Sequence, residues 1–328
     1  MTHGGNLFAI CRERGWDWRE VLDLSASINP LGPAPGVREA IVGAVERIVH
    51  YPERLAPVLA AKLAEAWGVE PEQILLGNGA TELIHFLARV WPDEGVTLAV
   101  PTFSEFHRAW PRARCCRFED LPAEEAVAGG QWPVARARCG LAVVTQPNNP
   151  TGEGRDLRGW SRPGLVDESF IEFSERPSLV GLTRERRDLL VLRSLTKFYA
   201  LPGLRVGALV GHPETIAALL ERREPWQVNA LAEAAAVAAL ADREWAERGR
   251  RLVAEERRWL GVPTEANFYL FYTERATELC RWFLERKVIL RDCTGWPGLE
   301  RPAVRIAIRT RPENCRVVAM LREFLCEV

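Results

Sequence analysis

The sequence predicts an α/β protein: a mixed, mostly parallel sheet flanked by helices, with a small α+β domain beside it. Two patterns support this fold class. Between residues 74 and 210, short apolar runs typical of strands buried on both faces alternate with helical stretches. After residue 260 strands and a helix alternate over short distances. We expect an N-terminal segment (1–30) that joins the small domain, a large domain (31–222) and a C-terminal small domain (223–328).

Composition and charge are those of an ordinary globular enzyme. The 328 residues are 47% hydrophobic and 27% charged, and a net charge of −1 gives no general attraction to nucleic acid or an anionic membrane. No apolar run reaches spanning length and the first residues do not resemble a signal peptide, so we expect a cytoplasmic protein. Eight cysteines without Cys-x-x-Cys spacing and five scattered histidines predict free thiols and no metal site.

The N-terminal elements are a short helix, a brief strand and a Pro/Gly loop that begins after Asn29. A helix follows over 37–49, and it stops before His50-Tyr51-Pro52 because a residue that precedes proline disfavours helical geometry. Local chemistry alone gives His3, Asn29 and Tyr51 ordinary roles in a terminus, a loop and a helix end.

The first strands of the large domain each deliver polar or aromatic residues to their carboxyl ends. The strand 74–76 leads into Gly77–Glu82, which opens a helix whose N-terminus can bind a phosphate or can be a simple helix start. The strand 96–100 leads to Phe103, which can stack on a planar ring or pack in the core.

Two further strands end in more specific motifs. The strand 141–144 runs into Pro-Asn-Asn-Pro-Thr-Gly (147–152), where the carboxamide of Asn149 can donate to a phenolic oxygen. A polar turn is the simpler alternative. The strand at Leu165 ends in Asp167, whose carboxylate can pair with a protonated ring nitrogen or can be a surface charge.

The strand 189–192 leads to Ser194-Leu-Thr-Lys197, with Arg205 eight residues further on. A lysine surrounded by apolar residues has a lowered pKa and can act as an amine nucleophile, while a hydroxyl and a guanidinium suit a phosphate. An amine for a carbonyl beside groups for a phosphate describes a pyridoxal 5′-phosphate (PLP) pocket.

Lys197 has two other possible interpretations. Most lysines are solvated, but this chain has three lysines in all, and this one lies between a buried strand and a Pro-Gly turn. Ser-x-x-Lys also occurs at acyl-serine sites, which require Ser-Asp-Asn and Lys-Thr-Gly, and the sequence contains neither.

The C-terminal third begins with an alanine-rich helix, 230–241, and a charged helix that ends near residue 260. A strand at 303–310 then places Arg305 and Arg309 on one face, because side chains alternate along a strand. Two guanidiniums on one face repel unless an anion or a carboxylate lies between them. Salt bridging on a polar sheet face is the simpler explanation.

The motifs 194–207, 147–152 and 289–309 resemble those of fold-type I PLP enzymes, in the branch of histidinol-phosphate aminotransferase and threonine-phosphate decarboxylase, and the resemblance covers nearly the whole chain. It implies that residues 31–222 form the PLP-binding domain of a homodimer, with Lys197 and Asp167 as catalytic residues. The implied cofactor-binding residues are Ala80, Thr81, Phe103, Asn149, Asp167, Ser194, Thr196, Lys197, Arg205 and, across the dimer interface, Tyr51. The implied substrate-binding residues are His3, Asn29, Asn149, Arg291, Arg305 and Arg309.

The chain departs from the family pattern in two places. Phe170 occupies a position where the aminotransferases have a tyrosine, whereas the decarboxylases tolerate phenylalanine. Between Gly152 and Leu165 there is room for scarcely one helical turn, although the family has a full helix there, so we expect a shortened crossover.

The resemblance implies PLP-dependent decarboxylation of L-threonine O-3-phosphate to (R)-1-amino-2-propanol O-2-phosphate in cobalamin biosynthesis. The first alternative is a histidinol-phosphate-type aminotransferase, which would use the same lysine and aspartate. A second alternative, from another class, is a non-catalytic binding or regulatory protein with this fold. The expected partner molecule is a small phosphorylated amino acid.

Overall fold

The computed structural model describes residues 4–121 and 140–326, and they form an α/β molecule with one large and two small sheets. The strands are β1 (Leu22–Asp23), β2 (Ile74–Gly77), β3 (Val96–Ala99), β4 (Arg114–Cys116), β5 (Leu141–Thr145), β6 (Gly164–Asp167), β7 (Leu189–Ser194), β8 (Gly207–Val210), β9 (Phe268–Tyr272), β10 (Val288–Ile289), β11 (Arg291–Asp292) and β12 (Ala303–Ala307). The helices are α1 (Leu7–Arg14), α2 (Gly36–Ala44), α3 (Pro57–Trp67), α4 (Ala80–Val90), α5 (Ser104–Ala109), α6 (Pro213–Leu220), α7 (Ala230–Ala241), α8 (Arg243–Leu260), α9 (Ala276–Glu285) and α10 (Arg311–Cys326).

The large sheet has the strand order β2-β8-β7-β6-β5-β3-β4. Strands β3 to β7 run parallel to one another, and β8 is antiparallel to both β2 and β7. The apolar runs of the central strands are buried throughout, as expected for strands covered by helices on both faces. The predicted fold class is therefore confirmed. Parallel strands bring their carboxyl ends to one edge, and ligands of such sheets bind outside that edge.

The smaller sheets join distant parts of the chain. An antiparallel sheet has the order β11-β12-β9, and β1 pairs in parallel with β10 through Leu22–Val288 and Asp23–Ile289. A core of aliphatic and aromatic side chains lies between these strands, α9 and α10, and it includes Leu24 from the N-terminal segment.

Helix α7 packs on α2 and α3 in a core built mainly of small residues. Asn229 caps it, because its side-chain Oδ1 accepts from the N–H of Ala232 at 2.9 Å. By its packing α7 lies with the large unit, beyond the predicted boundary at residue 222. The division into 1–30, 31–222 and 223–328 itself stays a prediction.

The connection from β5 to β6 contains no α-helix, in agreement with the expected shortening. Its final part is tied down by Arg186, whose guanidinium donates to the carbonyls of Trp160 and Arg162 and pairs with Asp188. In the described residues no helix is both long and apolar enough to cross a bilayer.

Candidate active site

A cavity of about 310 Å³ opens at the carboxyl ends of β3, β5, β6 and β7. Its lining residues come from distant parts of the chain, from Gly4 to Arg305, and many of them follow one of these strands or begin α4. Every predicted cofactor-binding residue except Tyr51 lines it: Ala80, Thr81, Phe103, Asn149, Asp167, Ser194, Thr196, Lys197 and Arg205.

Lys197 lies in the turn that follows β7, and Asn29 fixes that turn. The backbone N–H of Asn29 donates to the carbonyl of Lys197 at 3.0 Å, and its carboxamide donates to the carbonyl of Phe198 at 2.9 Å. Burial lowers the pKa of the Lys197 amine to about 8, and the positive charges of Arg305 and Arg205 lower it further than Asp167 and Asp23 can raise it. The amine is thus prepared to react with a carbonyl near neutral pH.

Asp167 is the last residue of β6, and Ser169 orients its carboxylate. One carboxylate oxygen accepts from the backbone N–H of Ser169 at 2.9 Å and from its hydroxyl at 2.5 Å. Burial raises the pKa of Asp167 to about 6, against the effects of these hydrogen bonds and of Lys197. No other described residue bonds the second oxygen, so it is available to a protonated ring nitrogen.

The start of α4 forms a cradle for a phosphate. Gly79 has a left-handed φ of +82°, and a Cβ there would collide with the guanidinium of Arg205. A Cβ at Gly207 would lie 2.6 Å from the backbone nitrogen of Ala80. The hydroxyls of Ser194 and Thr196, 2.8 Å apart, stand at the same cradle. No described residue pairs a carboxylate with Arg205, whose guanidinium donates to the carbonyl of Pro202 at 3.3 Å, so helix N–H groups, hydroxyls and this guanidinium fit a phosphate dianion.

Arg305 supplies another positive charge to the lining of the cavity. It is 7% exposed, donates to the Oδ1 of Asn149 and donates to the carbonyl of Ser25 at 2.8 Å, while its Nε has no partner. Arg291 is paired directly across from it on β11 and is 6% exposed. Burial lowers the pKa of Arg305 to about 10 and also lowers that of Arg291. Neither guanidinium meets a carboxylate among the described residues, so two buried charges lack a balancing carboxylate. Arg305 lines the cavity, whereas Arg291 is not among its lining residues.

The remaining predicted residues lie away from the cavity. Tyr51 is 82% exposed and stacks on Trp226 with ring centroids 4.8 Å apart. Arg309 follows the end of β12, and its guanidinium donates to Glu313 at 3.3 Å, so the expected strand to residue 310 is three residues too long. Asn29 acts on the backbone of the lysine turn, and His3 lies outside the described residues.

Sequence reasoning missed several residues that line the cavity: Gly4, Ser25, Ala26, Ser27, Glu105, Arg108 and Ser169. Ser169 could have been found, since a serine two residues after an aspartate forms a local turn with its carboxylate. Ser25 contributes a backbone carbonyl, which leaves no signal in residue type.

Taken together, the site offers a lysine amine, a carboxylate for a ring nitrogen, a carboxamide, an aromatic ring and a phosphate cradle. These groups fit PLP. A family model described as aminotransferase class I and II matches residues 19–320. The chain belongs to this family.

Relatives of this member of the aminotransferase class I and II family match nearly its whole length. It is 31% identical to the threonine-phosphate decarboxylase of Salmonella typhimurium, over 99% of this chain and 96% of that protein. It is 33% identical to the histidinol-phosphate aminotransferase of Moorella thermoacetica, over 94% and 86%. The crystal structure of histidinol-phosphate aminotransferase from Sinorhizobium meliloti, in complex with pyridoxal-5′-phosphate, superposes with a TM-score of 0.79 at 21% identity, over 96% and 94%.

The family membership confirms the predicted cofactor. The chain is a PLP-dependent enzyme of the aminotransferase superfamily. Its relatives include both a decarboxylase and aminotransferases at similar identity, so the reaction it catalyses has to be argued from the site.

Proposed function

We propose that this enzyme decarboxylates L-threonine O-3-phosphate to (R)-1-amino-2-propanol O-2-phosphate, a reaction of cobalamin biosynthesis. The observation that carries the proposal is the buried pair Arg291 and Arg305, set side by side on neighbouring strands without a carboxylate partner among the described residues. Like charges directly opposite each other are destabilising unless an anion joins them. The phosphate dianion of a phosphorylated amino acid supplies that charge, and guanidiniums bind phosphate with two hydrogen bonds.

The choice between reactions depends on which substrate bond is activated. In our proposal Arg305 and Arg291 take the phosphate, which leaves the α-carboxylate free to stand out of the plane of the ring. Binding energy from the phosphate, which does not react, would then be used to orient the bond that breaks. Phe170 supports this reading, since it lines the cavity, packs edge-on against Phe268 at 4.9 Å, and has no hydroxyl to offer the ring oxygen.

Decarboxylation breaks the bond between Cα and the carboxylate, releases CO₂ and adds one proton to Cα. PLP, when bound, supplies the electron sink for the pair of electrons left by that bond. Asp167 holds a negative charge where a ring nitrogen must remain protonated. Lys197, with a pKa of about 8, can hold a proton at its Nζ and deliver it to Cα.

The exposed surface around Tyr51 supports a homodimer. Apolar side chains that soluble monomers usually cover are exposed there: Val42, Val45, Ile48, Val49, Tyr51, Leu55, Val58 and Trp226. We propose that a second copy of the chain covers them and that Tyr51 reaches the cofactor phosphate of the other subunit.

Product analysis tests the proposed reaction. Purified holoenzyme is incubated with L-threonine O-3-phosphate alone, and CO₂ and aminopropanol phosphate are measured by gas detection and mass spectrometry. We expect stoichiometric CO₂ without any keto acid, and none from Lys197→Ala.

A histidinol-phosphate-type aminotransferase is the alternative, and the 33% identity to such an enzyme favours it. The same preparation is therefore given histidinol phosphate and 2-oxoglutarate. Glutamate formation that depends on 2-oxoglutarate, with no CO₂ from threonine phosphate, would replace our proposal by this one.

A further inference from the structure

The loop after β11 folds back into the protein and buries Trp296. Asp292 begins the turn, because its carboxylate accepts from the N–H of Thr294 at 2.8 Å, and Gly295 continues it with a left-handed φ of +69°. Trp296 is 3% exposed and packs with Cys293 and Ala303. An indole placed this deeply needs a partner for its N–H.

The partner of this N–H lies in the loop that follows β3 of the large sheet. Nε1 of Trp296 donates to the carbonyl of Thr102 at 2.7 Å. The two loops approach so closely that a Cβ at Gly298 would lie 2.8 Å from the nitrogen of Pro101. Thr102 is itself tied to β5, since its hydroxyl lies 2.9 Å from that of Thr145. The next residue is Phe103, which lines the cofactor cavity.

The face of the same indole meets Arg291. The guanidinium carbon of Arg291 lies 5.1 Å from the ring centroid of Trp296, within the range of a cation–π contact. Among the described residues no hydrogen-bond acceptor holds this guanidinium, so the indole is the group that orients it.

We propose that Trp296 is a positioning residue that holds two parts of the site at once: its N–H fixes the loop that carries Phe103, and its ring face fixes the guanidinium of Arg291. This rests on the proposed function, in which Arg291 binds a substrate anion. The two contacts can be tested separately, because a hydrogen bond holds the loop that carries Phe103 and an aromatic face holds the guanidinium of Arg291.

Two substitutions separate the contacts. Trp296→Phe keeps an aromatic face and loses the N–H, whereas Trp296→Leu loses both. Binding of inorganic phosphate to the PLP-loaded enzyme is measured by calorimetry, and the dissociation constant of PLP is measured by its absorbance. We expect Trp296→Phe to weaken PLP roughly two- to tenfold while phosphate affinity stays within about twofold. We expect Trp296→Leu to weaken phosphate as well, roughly two- to thirtyfold.

Matched variants make the result specific. Trp259 lies on α8, and the guanidinium carbon of Arg311 is 4.5 Å from its ring centroid. Trp259→Leu should therefore remove a similar contact and change neither constant. Gly298→Ala pushes the two loops apart without touching the indole, and it should weaken PLP like Trp296→Phe. Arg291→Gln should weaken phosphate at least as much as Trp296→Leu does.

The outcomes distinguish this proposal from the proposed reaction. Unchanged PLP and phosphate constants in both Trp296 variants would overturn it, and a phosphate affinity that is unchanged in Arg291→Gln would overturn its anion half. If Trp296→Leu does not fold, Trp296→Phe and Gly298→Ala still test the N–H contact. Failure to release CO₂ from threonine phosphate, with these shifts present, would remove the substrate assignment and leave the positioning role.

Discussion

The surroundings of Lys197 determine the pH at which its amine can react. Burial, Arg305 and Arg205 lower its pKa to about 8. At pH 8 about half of these amines are neutral, against fewer than about one in a hundred for a solvated lysine. Because the neutral form attacks the aldehyde, PLP uptake by the apoenzyme should rise with pH around a midpoint near 8, as measured by stopped-flow absorbance.

A substitution at Arg305 tests how a neighbouring charge moves the pH midpoint of PLP uptake. Arg305→Gln removes a positive charge that disfavours the protonated amine, so the midpoint should move to higher pH. A midpoint near 10 in the parent enzyme would contradict the environment described for Lys197.

Asp167 and Ser169 permit a second test at single residues. Asp167→Asn keeps the size of the side chain but cannot carry the charge that a protonated ring nitrogen needs, so kcat/KM should fall about 100-fold or more. Ser169→Ala keeps the carboxylate and loses one hydrogen bond, which should cost only about fivefold. Equal losses from steady-state CO₂ release would mean that the orientation of the carboxylate matters as much as its charge.

The residues of the site differ in how far the sequence reveals them. Lys197, Asp167 and Asn149 follow directly on apolar runs, and strand ends in a parallel sheet meet at one edge, so their neighbourhood was predictable. The bond from Arg305 to the carbonyl of Ser25 joins positions 280 apart through a backbone atom, and no residue pattern encodes it.

Among the elements, the final part of the connection from β5 to β6 is held by the side chain of Arg186. Arg186 donates to the carbonyls of Trp160 and Arg162 and pairs with Asp188, so Arg186→Ala should lower the free energy of unfolding by about 2–3 kcal/mol. Chemical denaturation would measure the loss. Arg187→Ala is the matched control, because that neighbour is exposed and pairs with Glu214, and it should change stability by less than about 1 kcal/mol.

The elements that sequence reasoning left out carried readable signals. Helices α3 and α6 each begin with proline at the first turn, and α3 ends at Gly68 in a left-handed conformation. The error at Arg309 has another origin. Alternation of side chains holds only while a strand continues, and β12 ends at Ala307, after which Arg309 joins the cap of α10 through its bonds to Glu313 and Asn314.

On the scale of the whole molecule, the proposed dimer makes each site depend on two chains. Lys197→Ala and Tyr51→Ala homodimers should both be weak, the second because the other subunit's cofactor phosphate loses a contact. A mixed dimer contains one site with both residues intact. Equimolar subunit exchange should therefore restore about a quarter of the parent activity.

Light scattering measures whether the enzyme is a dimer, and the activity after mixing measures whether the site is shared between two chains. A monomer at micromolar concentration, or mixtures no more active than the better parent variant, would contradict the shared site. The pattern of apolar residues could not show that the helical part of the surface around Tyr51 is exposed, because these residues have the same periodicity as those of a buried helix face.

The short connection from β5 to β6 also has a consequence for protein engineering. The connection has no α-helix, yet β5 and β6 still pair along their length. The positions of the strand ends at the site therefore do not require a helix there. Residues 158–159 of this connection are exposed, so a reporter peptide or a tether can be inserted there. Arg186 must be kept, because it holds the connection in place.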